Sequence, residues 1–94
     1  MESILQSVKQ CWVCKARYPL HKHHIYGGRN RQVSEDNGFT VYLCFEHHTG
    51  DHGVHNLHYA DLMLKRTCQA AYEKDHTREE FIALIGKSYL DVEL

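Results

Sequence analysis

The chain reads as a small α+β domain: a β-hairpin stapled at its base, a helix packed on that hairpin, and a C-terminal helical extension. Three observations predict this. Cys11-x-x-Cys14 and Cys44-x-x-His47 form two half-sites with the spacing of a tetrahedral zinc site. Between them lie two β-prone runs, broken by Gly27-Gly28. Beyond them the apolar residues change to helical spacing.

Taken in order, Ile4, Leu5 and Val8 stand at helical intervals and predict a short N-terminal helix over residues 2–8. Cys11-Trp12-Val13-Cys14 is a knuckle, a tight turn that lets two thiolates face one ion. Residues 20–26 predict a strand that stops at the glycine pair, and a polar loop follows over 29–38. Phe39 to Leu43 are all β-branched, aromatic or aliphatic, the clearest strand in the chain. Residues 46–53 are too rich in histidine and glycine for an assignment. A long helix begins near Asn56, with Leu57, Ala60, Leu64, Cys68 and Ala71 on one face. Thr77 and Glu80 have capping-box spacing and open a last helix carrying Phe81, Ile82, Leu84 and Ile85, which ends at Gly86. Residues 1–94 are expected to form one domain, with its core over 11–57 and the helical extension over 58–94.

The chain has 94 residues, 43% of them hydrophobic and 24% charged, which is ordinary for a globular protein and argues against disorder. A domain this short buries a modest core, so a metal staple would add stability it needs. With no membrane-length apolar run and no secretory signal at the start, a cytoplasmic protein is expected. In that compartment the four cysteines stay reduced. Three of them belong to the half-sites, and Cys68 on the long helix is expected to be a small buried hydrophobe.

Net charge is −1, but it is unevenly spread. From Ser3 to Ser34 there are Lys9, Lys15, Arg17, Lys22, Arg29 and Arg31 and no Asp or Glu, while from Glu35 onward eleven acidic residues face five basic ones. The basic half could turn toward a phosphate backbone, or its counter-charges could lie nearby in space.

Eight of the nine histidines fall between positions 21 and 58. Cys11, Cys14, Cys44 and His47 are the candidate ligands of a structural Zn²⁺. The 29 residues between Cys14 and Cys44 leave room for a histidine-bearing hairpin between the half-sites. His23 and His24, neighbours on a strand, point to opposite faces, so one can ligate a second ion while the other acts as a base. His48 supplies another ligand, and either His52 or His55 the third, with His55 favoured if Gly50 and Gly53 keep the segment looped. His21, His58 and His76 are expected at the surface or supporting the ligands.

The run His23-His24-Ile25, a glycine-bearing loop, a strand ending in Leu43-Cys44 and a half-site running into His48 resembles the HNH endonuclease family, with its ββα-metal (His-Me finger) fold. The resemblance covers residues 11–57. The segment from His23 to Arg31, the Ser34-Glu35-Asp36 that follows and the closing Gly86 to Leu90 are similar to small phage and prophage members. It implies that His23 and His48 ligate a catalytic metal and that His24 is the general base. The family's paired cysteines correspond to Cys11/Cys14 and Cys44/His47, with His47 a departure. The family asparagine that orients the base or pins the hairpin corresponds to Asn37 or Asn30. Lys22, Arg29 and Arg31 would clamp phosphates. The expected function is metal-dependent cleavage of DNA, using Zn²⁺, Ni²⁺ or Mn²⁺ at an imidazole-rich site more readily than Mg²⁺. A non-catalytic zinc module that binds nucleic acid or a partner protein is the alternative, and a redox or metal-storage protein is a third. The sequence shows no dimer contact.

Overall fold

The computed structural model describes residues 1–91. Its sheet is a two-stranded antiparallel hairpin, β1 (His21–His24) and β2 (Thr40–Leu43), in the register His21↔Leu43, Lys22↔Tyr42, His23↔Val41 and His24↔Thr40. Alternation along β1 sends His21 and His23 to one face and Lys22 and His24 to the other. That division organises everything around the site.

The strands are not joined by a plain loop. A 3₁₀ turn (Gly28–Asn30) leads into a helix, α1 (Arg31–Asn37), where the sequence predicts a polar loop. Tertiary bonds supply what amphipathic patterning does not. The fully buried Ser34 hydroxyl accepts from the Tyr26 amide at 3.2 Å and donates to the Tyr26 carbonyl at 2.7 Å. The Ser34 carbonyl accepts from the Phe39 amide at 2.8 Å. Gly38 closes α1 with φ 72°, and a Cβ built there would lie 2.2 Å from the Glu2 carbonyl oxygen. Gly38→Ala therefore combines a left-handed backbone with a backbone collision. It is expected to cost about 2 kcal/mol or more, read as a lower midpoint in urea unfolding; an unchanged midpoint would show that the contact yields freely.

The N-terminal segment is not helical. The Ser3 hydroxyl accepts from the amides of Leu5 and Gln6 at 3.0 and 3.1 Å, a local turn that competes with helix. The Ile4 amide donates to the Gly38 carbonyl and the Gln6 side chain accepts from the Tyr42 amide, so the segment straps the edge of β2. Seven residues cannot nucleate a helix against such bonds.

After β2 come a single turn, α2 (Phe45–His48), then α3 (His58–Tyr72) and α4 (Arg78–Ile85). α2 contacts both strands. α3 buries Leu62, Leu64, Cys68 and Gln69. Leu64 and Cys68 lie inward as expected, Ala60 and Ala71 are half-buried, and Leu57 falls before the helix and is exposed. In α4 the capping box forms as predicted: Thr77 Oγ1 accepts from the Glu80 amide at 3.1 Å and Glu80 Oε1 from the Thr77 amide at 2.9 Å. Phe81 and Ile85 are buried, whereas Ile82 faces outward, and Gly86 ends the helix in the left-handed region.

Tyr26, Phe39 and Phe81 join the hairpin to these helices. The Tyr26 ring meets Phe39 at 5.5 Å and Phe81 at 5.4 Å, edge to face. Its hydroxyl donates to the Lys65 carbonyl of α3 at 2.6 Å. Around them Ile25, Val41, Leu43, Leu64, Cys68 and Ile85 complete a core into which Cys11 also packs. No helix among the described residues is long and apolar enough to cross a membrane.

Candidate metal centres

The knuckle is tied to β2 by the Trp12 amide, which donates to the Tyr42 carbonyl at 2.8 Å. That bond holds Cys11 and Cys14 against the end of β2, where Cys44 caps α2 and His47 lies one turn on. Cys11 Sγ is 3.8 Å from His47 Nδ1, Cys14 Sγ is 3.7 Å from Cys44 Sγ, and Cys44 Sγ is 3.3 Å from His47 Nδ1. The sulfur pair is far beyond the roughly 2.05 Å of a disulfide. Donors about 2.3 Å from a tetrahedral ion would be separated by about 3.8 Å, close to these edges. All four donor atoms lie within 4.8 Å of one another, so the cluster could hold a metal ion. Burial pushes the Cys11 thiol up, but the amides around it, led by that of Cys14, outweigh burial and bring it down to about 6, which favours a thiolate ligand.

The second cluster is made of histidines alone. His23 comes from β1, His48 from the end of α2, and His55 from the turn beyond, their donor atoms again within 4.8 Å. The chain doubles back to bring His55 in: the Val54 amide donates to the His47 carbonyl and the His55 amide to the His48 carbonyl, each at 3.1 Å. This return needs Gly53, where a Cβ would stand 2.5 Å from the His48 carbonyl oxygen. His52 turns away to pair with Glu46, so His55 is the histidine that joins the cluster.

His48 Nε2 and His55 Nε2 are 3.0 Å apart. Nitrogens about 2.1 Å from one ion sit roughly 3.0 to 3.4 Å apart in octahedral or tetrahedral coordination. Their rings lie 5.3 and 5.2 Å from that of His23. His23 is 5% exposed, and its Nε2 is buried without a hydrogen-bond partner among the described residues. An orphaned buried nitrogen costs about 1–3 kcal/mol, a cost that ligation would remove. Burial, then the neighbouring His48 and His55, holds His23 down to about 3, and burial also lowers His48. Both are therefore neutral imidazoles, the form that binds a cation. His21 Nδ1 lies 3.0 Å from His48 Nδ1 and steadies that ring from behind. Of the remaining histidines, His58 lines the adjoining groove and His76 stacks on Tyr72.

His24 stands on the opposite face of β1. Its Nε2 lies 3.1 Å from Glu35 Oε1 of α1, and Glu35 Oε2 receives Lys22 Nζ at 2.7 Å. Neither candidate asparagine takes that place. The Asn30 amide donates to the Ile85 carbonyl, tying the 3₁₀ turn to α4, and the Asn37 amide donates to the Val33 carbonyl within α1. The residue that meets His24 is instead Glu35, carried on a helix where the sequence predicts a loop.

Two grooves of about 370 Å³ each meet at His23, His24, Gly27 and His55. One is flanked by Lys22 and Arg31, the other by His58, Asp61 and Lys65. Lys22 is neutralised by Glu35. Lys9, Lys15, Arg17, Arg29 and Arg31 form no ion pair among the described residues. The basic half thus keeps most of its charge uncompensated. Comparison with protein-family models, with curated proteins and with solved structures returns no match.

Proposed function

We propose that the protein is a metal-dependent endonuclease of the HNH type, its hairpin and α2 forming a ββα-metal module that hydrolyses phosphodiester bonds in DNA. The observation that carries this is the convergence of His23, His48 and His55 beside His24 in a groove edged by basic residues. The cysteine cluster is read as the structural Zn²⁺ site that fixes the hairpin's base.

Three imidazole donors suit Zn²⁺, Ni²⁺ or Mn²⁺ better than Mg²⁺. When bound, the ion would supply positive charge against the phosphate and the departing oxygen. The chain's own contribution is positional and acid–base. Arg31, at the groove's edge, draws a phosphate in, and Arg29, Lys9, Lys15 and Arg17 add a field that attracts the backbone with little regard to sequence. His24, across the strand from His23, takes the proton of the attacking water at a ring nitrogen. Because successive residues of β1 face opposite ways, base and ligand approach one phosphate from different sides.

Zinc-loaded wild type is expected to nick supercoiled plasmid on addition of Mn²⁺ or Ni²⁺ and to bind two metal ions per chain by elemental analysis. His55→Ala is expected to keep its circular dichroism spectrum, retain one ion and lose nicking. One ion per wild-type chain, with DNA bound but never cut, would instead favour the non-catalytic zinc module.

A further inference from the structure

We propose that Glu35 is the positioning residue of the base: it holds His24 with Nε2 protonated and Nδ1 free, while Lys22 secures Glu35 instead of binding DNA. This rests on the endonuclease reading for its functional consequence and on the fold alone for its geometry.

An ionised carboxylate can only accept hydrogen bonds. Glu35 is ionised at neutral pH, since Lys22 and then His24 bring its carboxyl down to about 2. The 3.1 Å contact with His24 Nε2 therefore requires the proton on Nε2, and in the neutral ring this leaves the lone pair on Nδ1. The other carboxylate oxygen is occupied by Lys22 Nζ at 2.7 Å, so rotation of the carboxylate is opposed from both ends. The three residues meet because of the register and the helix. Lys22 and His24 are two positions apart on one face of β1, and α1 carries Glu35 directly after Ser34, which is bonded to both the amide and the carbonyl of Tyr26. The His24 side chain is only 12% exposed and that of Glu35 35%, so the bond is shielded from water on the histidine side.

The consequence is chemical. As the water oxygen bonds to phosphorus and the bond from phosphorus to the sugar oxygen breaks, the water proton passes to Nδ1. The imidazolium so formed faces a carboxylate that stabilises its charge, and the departing oxygen is protonated from solvent. This division of labour is that of a carboxylate behind a catalytic histidine, here a half-buried one. The orienting group here is a carboxylate on a helix, where the resembled family uses an asparagine.

The test uses the full zinc-loaded chain, its Glu35→Ala, Glu35→Gln and Lys22→Gln variants, a duplex DNA substrate, and ¹⁵N NMR of the histidine rings. Wild-type His24 should show the Nε2–H tautomer alone. Glu35→Ala should lose that preference and drop kcat on the order of a hundredfold, with DNA Kd and metal content unchanged. Glu35→Gln retains an acceptor oxygen, so it should restore the tautomer and part of kcat. Lys22→Gln should lower kcat a few-fold and leave Kd alone. The proposal is overturned if Glu35→Ala keeps both tautomer and kcat, or if Lys22→Gln raises Kd without touching kcat. Should the wild type not cleave at all, the endonuclease reading falls, while the Glu35→Ala ring spectrum still decides whether Glu35 sets His24.

Discussion

Replacing Cys11 by serine is expected to unfold the protein at physiological temperature. Cys11 is fully buried, packs with the core, and is one of four donors whose edges match a tetrahedral ion. Structural zinc contributes roughly 10–16 kcal/mol of apparent binding free energy in small zinc domains, against a typical total stability of about 5–15 kcal/mol. A domain of this size has little reserve to offset that loss. The serine would also leave a buried hydroxyl among three unsatisfied donors. Circular dichroism melts of Cys11→Ser should show a loss of cooperative unfolding, and elemental analysis should show the structural ion gone. Cys68→Ser is the proper comparison, because Cys68 is equally buried but belongs to neither donor cluster. It should cost only about 1–3 kcal/mol, the range for burying a poorly paired hydroxyl, or roughly 4–20 °C in melting temperature. Equal, small shifts in both variants, with metal retained, would mean that Cys11 is only a packing residue.

The half-sites were legible because ligand chemistry forces residue type and spacing together: two thiolates on one ion need a knuckle, and Cys44 and His47 need one helical turn. The capping box at Thr77 was legible for the same reason, as it is a local bond between residues three apart. α1 was not. Its sequence, Arg31 to Asn37, carries one apolar residue, Val33, and it is held by Ser34 bonding across to Tyr26, a contact eight positions away. Only the fold could reveal that contact, and with it went Glu35. The N-terminal segment erred in the opposite direction. Ile4, Leu5 and Val8 have helical spacing, yet the Ser3 hydroxyl accepts from the amides of Leu5 and Gln6 and the Gly38 carbonyl from that of Ile4, which makes the segment a strap. The choice between His52 and His55 depended on a reversal at Gly53 so tight that only the backbone's close approach to His48 explains it. The charge question, open from sequence, depends on which carboxylates come near, and among the described residues only Lys22, of the basic residues from Lys9 to Arg31, pairs with one.

His24→Ala is expected to cut plasmid nicking by about 10²–10⁴-fold, the range for loss of a positioned general base, while both metal ions and DNA affinity persist. The expectation follows from strand alternation. His24 and His23 are adjacent in sequence but occupy opposite faces of β1, so removing the His24 ring takes no donor from the cluster of His23, His48 and His55. His48→Ala should behave differently. His48 lies 3.0 Å from both His55 and His21, at the centre of the imidazole cluster, so its loss should empty the second metal site and abolish nicking together. Nicking, metal content and DNA binding, measured side by side, separate a base from a ligand in a way that activity alone does not. If His24→Ala also released the second ion, His24 would be a ligand, and the base would have to be sought elsewhere in the groove. If it nicked DNA as well as wild type, proton transfer would not run through this ring, and the contact with Glu35 would be a structural pin between α1 and β1.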